Sequence, residues 1–162
     1  MANTHGEHGP DCTCGCHDHD HGHDHGHNHG HEHHHDHTPE RQVQLGWGAA
    51  TLESHVHDQA ATVSATICAL PGSATTFEAL VEALGSVAKR VESAGGIVGH
   101  IKAYARTGES FVHASATDAQ HAPSCEGDAR MPLKPETHCQ LVAIALLIDL
   151  EQLEQIVVDA LG

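Results

Sequence analysis

The sequence predicts an α+β fold: a four-stranded antiparallel sheet covered by two helices, with a disordered His-rich tail in front of it. Three observations carry this. Two-residue alternation of apolar and polar side chains runs through most of 60–69 and of both halves of 97–117, the period of half-buried strands. Apolar residues recur at helical spacing through 77–91 and 150–161. The first forty residues contain almost nothing apolar, and such a segment has no core to fold around.

Taken in order, residues 1–40 form the tail, 41–58 a linker and 59–162 the small α+β domain. Within the linker, Gln42-Val43-Gln44-Leu45-Gly46-Trp47-Gly48 alternates weakly, and Trp47 is the one large side chain able to dock it onto the domain. In the first strand Ala61, Val63, Ala65, Ile67 and Ala69 share one side, with Thr62, Ser64, Thr66 and Cys68 on the other. Pro71-Gly72 ends it. Thr75-Thr76-Phe77-Glu78 has the spacing of a capping box and opens a helix whose apolar stripe is Phe77, Leu80, Val81, Leu84, Val87, Ala88 and Val91. Gly95-Gly96 stops that helix.

A hairpin follows, Ile97–Arg106 and Ser110–Thr117, with Thr107-Gly108 expected at the turn. Residues 118–137 read as a loop. His138–Ile148 is apolar enough for a central, buried strand, and Asp149 stands at the cap position of a last helix carrying Leu150, Leu153, Ile156, Val157 and Leu161. The order β-α-β-β-loop-β-α matches a ferredoxin-like split β-α-β sandwich with its last helix and strand exchanged. Only Trp47, Tyr104, Phe77 and Phe111 are aromatic, so the core is aliphatic.

Function points to the front of the chain. Fourteen of the twenty histidines lie between His5 and His37. His17, His19, His21, His23, His25, His27, His29, His31, His33, His34, His35 and His37 stand mostly at every second position, separated by Asp, Glu, Gly or Asn. Imidazole is a ligand for nickel, zinc, copper and cobalt. On an extended chain the spacing lets several rings wrap one ion without imposing one geometry, which favours capacity over selectivity. The carboxylates of Asp18, Asp20, Asp24, Glu32 and Asp36 add to the attraction for cations. Just ahead, Cys12-Thr13-Cys14-Gly15-Cys16-His17 offers three thiols and an imidazole, a tetrahedral set that binds more tightly than scattered imidazoles and loses protons as it does so.

These two features together, over residues 12–37, resemble the N-terminus of bacterial hydrogenase nickel-insertion GTPases, which open with a C-x-x-C-G-C motif and continue into a His-rich stretch. Here one residue, not two, separates the first two cysteines. The GTPase itself is missing: Leu70-Pro71-Gly72-Ser73-Ala74-Thr75 lacks the Walker Gly-Lys, and no lysine lies near. The resemblance implies nickel handling (Ni2+, with Zn2+ or Co2+ as alternatives) and no nucleotide chemistry. It is shared with His-rich nickel chaperones and stores.

Weaker metal candidates lie further on. His55 and His57 continue the alternate spacing. With the turn at Thr107-Gly108, His100 and His113 become diagonal neighbours on the polar face of the hairpin. His121, Cys125, His138 and Cys139 frame the 118–139 region, together with Asp118 and Asp128.

The composition closes several other routes. A formal charge of −15 with seven scattered Lys and Arg is no footprint for phosphate neutralisation, so no nucleic acid is expected. No apolar stretch has the roughly 20 residues of a membrane span, and no secretory signal precedes the tail, which places the protein in the cytoplasm with its cysteines as thiols. No serine stands in a nucleophile motif, so no enzymatic activity is expected. The sequence therefore reads as a metallochaperone or storage protein that hands metal to a client metalloenzyme or another maturation factor, alone or as a homodimer. The alternative is an accessory or regulatory subunit of a larger enzyme complex whose tail buffers zinc.

Overall fold

A computed structural model describes residues 40–162; the tail ligands Cys12 to His37 lie outside the described residues. Nine elements follow in order: β1 Arg41–Leu45, β2 Gly48–His57, β3 Ala60–Ala69, α1 Glu78–Ser93, β4 Ile97–Thr107, β5 Ser110–Ala116, β6 Ser124–Glu126, β7 His138–Leu146 and α2 Leu150–Leu161. All seven strands form one antiparallel sheet in the order β1-β2-β3-β7-β4-β5-β6.

The expected four-stranded sheet is thus corrected to seven strands. Two of the additional strands come from 41–57, where a linker was expected, and the third is the three-residue β6 inside the expected loop. The physical reason is that β2 turns Ala50, Leu52 and Ser54 inward, and all three are buried. Two of these are small, so the alternation is real but carries little apolar weight. The strand order also departs from the expected fold, since β7 lies between β3 and β4, antiparallel to both.

Both helices cover the same face. α1 lies over β4 and β5, α2 over β3 and β2, and the helices touch each other. The core between the layers is aliphatic, with Leu80, Leu84, Val87 and Val91 of α1 and Leu153 and Val157 of α2 fully buried against Leu52, Val63, Ile101, Val112 and Leu141. Phe77 is the single aromatic inside. The two-residue link Gly46-Trp47 joins β1 to β2. Gly48, next along, leaves no room for a side chain, because a Cβ there would sit 2.4 Å from the Cys68 carbonyl oxygen. The Trp47 indole N–H donates to the carbonyl of Leu161 at 3.1 Å and ties this hairpin to the end of α2.

Local details differ from expectation where side chains find other partners. The capping box is not made: Phe77 is the N-cap of α1 with no side-chain bond, and the Thr75 amide is bonded instead to the Ser73 hydroxyl. The helix entrance is stitched by Phe77 N–H to the Met131 carbonyl and Leu133 N–H to the Thr75 carbonyl, 2.9 Å each, so the 118–137 segment delivers Leu133 to the core. Asp149 does occupy the N-cap of α2, again without a side-chain bond.

The β4–β5 hairpin turns at Gly108-Glu109, with Thr107 paired to Ser110. Gly108 has φ +60°, the value a type II′ turn requires at its first central residue. The expected turn at Thr107-Gly108 is one residue too early. The faces survive the shift, because the register changes by two residues, but cross-strand partners do not.

Candidate functional site

The face of the sheet away from the helices holds five of the six histidines in the described residues. His55 and His57 lie on β2, His100 on β4, His113 on β5 and His138 at the start of β7, all at outward positions. His121 stands in the loop after β5. Inward positions carry none, because an imidazole among Leu, Val and Ala would need a buried hydrogen-bond partner.

Tyr104, not His100, lies opposite His113, and the pairing of Lys102 with Ser115 puts His100 further along the sheet. The expected diagonal contact between His100 and His113 is therefore corrected. His113 has other neighbours: its Nε2 is 3.8 Å from a Glu126 carboxylate oxygen, and its ring stacks on Phe111 with centroids 6.5 Å apart. His138 packs edge-on against Tyr104, centroids 6.2 Å apart, and pairs in register with Arg106. Ile67 pairs with Cys139, and one step along both strands brings exposed Cys68 beside His138. His57 Nε2 is 3.6 Å from the Asp58 carboxylate in the β2–β3 turn, with both side chains open to water.

His100 is half-buried, and its Nε2 has no hydrogen-bond partner among the described residues. Burial and the nearby Lys102 ammonium lower its pKa, so its ring is held neutral. A neutral ring has a lone pair to offer.

The most organised imidazole is that of His121. Asp118 accepts from the backbone N–H of Gln120 at 2.8 Å, from the backbone N–H of His121 at 2.9 Å and from His121 Nδ1 at 2.9 Å. The His121 amide, then its ring, then the Gln120 amide lower the Asp118 pKa. Bonding Nδ1 to a carboxylate leaves Nε2 as the free position, the arrangement common behind metal-bound histidine. A shallow cleft of about 180 Å³ adjoins it, lined by Ser115, Thr117, Asp118 and Ser124 among others. Sequence reasoning grouped Asp118 with His121 without assigning the contact; the Asp-x-x-His spacing is the signal that identifies it.

The two cysteines of this region differ. Cys139 points inward, is 2 % exposed, and burial, with a smaller contribution from Cys68, pushes its thiol up to about 12. Cys125 on β6 is exposed; partial desolvation and Asp128 raise its pKa. Among the described residues, no three His, Cys, Asp or Glu side chains are grouped to hold a metal ion. The weaker candidates are therefore single imidazoles and pairs. No described helix is long and apolar enough to cross a membrane.

No protein-family model, no characterised protein and no solved structure matches this chain.

Proposed function

We propose that the protein is a metallochaperone or store for a divalent transition metal, nickel foremost with zinc and cobalt as alternatives, which it delivers for maturation of a nickel enzyme. One observation carries this reading: residues 12–37 put three cysteines and twelve histidines within twenty-six positions, interleaved with carboxylates. Among the described residues, five of the six histidines lie on one face of the sheet and no three ligand side chains are grouped.

The chemistry follows from ligand type. Cys12, Cys14 and Cys16 with His17 form the tight thiolate set, and binding there releases protons. The imidazoles from His19 to His37 form a weaker, higher-capacity set that exchanges readily. With an ordinary imidazole pKa near ~6.5, the weak set empties first on acidification, because a protonated ring has no lone pair. Cytoplasmic residence and a client metalloenzyme or maturation factor as recipient belong to the same proposal.

The test is titration of the metal-free full chain with nickel, zinc and cobalt against a chromophoric chelator. A tight step followed by a weaker multi-ion phase is expected, with sulfur-to-nickel charge-transfer bands that vanish on replacing Cys12, Cys14 and Cys16 by Ser. Binding of less than one ion per chain, or unchanged bands in the triple variant, overturns the reading.

A further inference from the structure

From Leu141 to Leu146 the central strand β7 is apolar on both sides. Its inward residues Cys139, Leu141, Ala143 and Ala145 are buried under the helices. Its outward residues Val142, Ile144 and Leu146 are equally apolar, yet no described element lies over them. A strand with one solvated face alternates apolar with polar; one apolar on both faces is the pattern of a strand covered on both sides. Around this stripe the open face is smooth, with Ala60, Thr62, Ser64 and Thr66 on β3 and Ala49 and Thr51 on β2.

We propose that this face packs on the same face of a second copy, making a four-layer homodimer with the two sheets at its centre. The inference is independent of the metal reading. Size is the first argument. Five inner strands spaced about 4.8 Å, each about 30 Å long, offer about 700 Å² per copy. Two such faces bury about 1,400 Å², within the range of stable interfaces.

Charge is the second argument. Cross-strand register places Glu53, Ser64, Val142 and Lys102 in one row running from β2 through β3 and β7 to β4. A two-fold axis along the strands, between β3 and β7, lays β4 of each copy over β2 of the other. Lys102 then stands over Glu53 of the second copy, and the pair recurs by symmetry. Each lies about 7 Å from the axis, where the usual crossing angle of packed sheets displaces it little.

The neighbouring row obeys the same axis. It runs His55, Thr62, Ile144, His100. The same axis sets His55 of the second copy over His100, ring above ring. One symmetry operation thus covers a half-buried apolar stripe and pairs the two opposite charges flanking it.

The experiment is sedimentation equilibrium on the full chain with chelator present, so that metal cannot bridge copies. A dimer is expected at micromolar concentration. Lys102→Glu and Glu53→Lys each place like charges face to face and should weaken association about a hundredfold; the double exchange should restore it. Circular dichroism checks each fold, and Lys102→Gln or Glu53→Gln replaces any charge reversal that unfolds. A wild-type monomer at about 100 μM, a concentration at which even a weak interface is occupied, overturns the proposal. So does a dimer that survives both single substitutions, or a folded double variant that stays monomeric.

Discussion

On the helix side of the sheet, β7 contributes Leu141, Ala143 and Ala145 to a dry aliphatic layer; on the other side, the same strand contributes His138, Gln140, Val142 and Ile144. Alternate residues of one strand therefore live in two solvents. The helix side tolerates no imidazole and raises its buried thiol, Cys139. The open side carries five histidines, the exposed Cys68 and the cations Lys102 and Arg106. The difference teaches that this fold separates its duties by parity: odd and even positions along a strand decide whether a residue holds the molecule together or meets something outside it.

The sharpest way to break that comparison is to shorten one side chain on each side. Leu141→Ala, at a position with no exposure, should cost about 2–5 kcal/mol, because it removes buried methyl groups and leaves a cavity. Thr66→Ala, opposite Gln140 on the open side, should cost under about 1 kcal/mol. Urea unfolding with chelator present measures both. Equal costs would mean that the open face is as tightly packed as the core.

The thiols sharpen it next. With its pKa pushed up to about 12, Cys139 should alkylate at pH 8 more than about a hundredfold slower than an ordinary thiol, and react fully only in urea. Cys68 should react in the native state at concentrations too low for two copies to associate. Peptide mass mapping separates the two from Cys12, Cys14 and Cys16. Rapid native labelling of Cys139 would show that the helix side opens far more easily than its packing implies.

The smallest effect concerns His100, the open-face residue that behaves most like an inside one. Its pKa is lower in the fold than in the unfolded chain, so the unfolded chain binds the extra proton. Stability therefore rises with pH across that window: the contribution is intact above the unfolded value near ~6.5 and is lost as pH falls toward the lower folded value. His100→Gln should flatten the slope of stability against pH below neutrality. An unchanged slope would return His100 to the ordinary solvated class.

Much of this was legible in the sequence, for reasons visible at particular residues. β3 announces itself because Val63 and Ile67 mark the inward side strongly. Helix α1 does so through Leu80, Leu84, Val87 and Val91, and both faces of the β4–β5 hairpin follow from Ala and Val alternating with Lys, Tyr and His. The first two strands are harder to see, because Ala50 and Ser54 are inward yet nearly neutral in hydropathy, and two-residue links at Gly46-Trp47 and Asp58-Gln59 resemble linker composition. β6 is only three residues long and exists by pairing Cys125 with Ala114, a contact without a local signal. The register of the hairpin turned on whether Thr107 belonged to strand or turn, and only the pairing with Ser110 decides it. In the candidate site, the ligand types are plain from sequence, but grouping is a property of register: a one-residue difference at the turn separates His100 from His113.

The bond from the Trp47 indole to the Leu161 carbonyl has a practical corollary. The chain contains one tryptophan, and it joins the first hairpin of the sheet to the final turn of the last helix. Its fluorescence is consequently a built-in gauge of whether residues 114 positions apart remain fastened, readable in any buffer and without a label. Emission that shifts toward the red before far-ultraviolet ellipticity declines would identify this seam as the first part of the molecule to come undone.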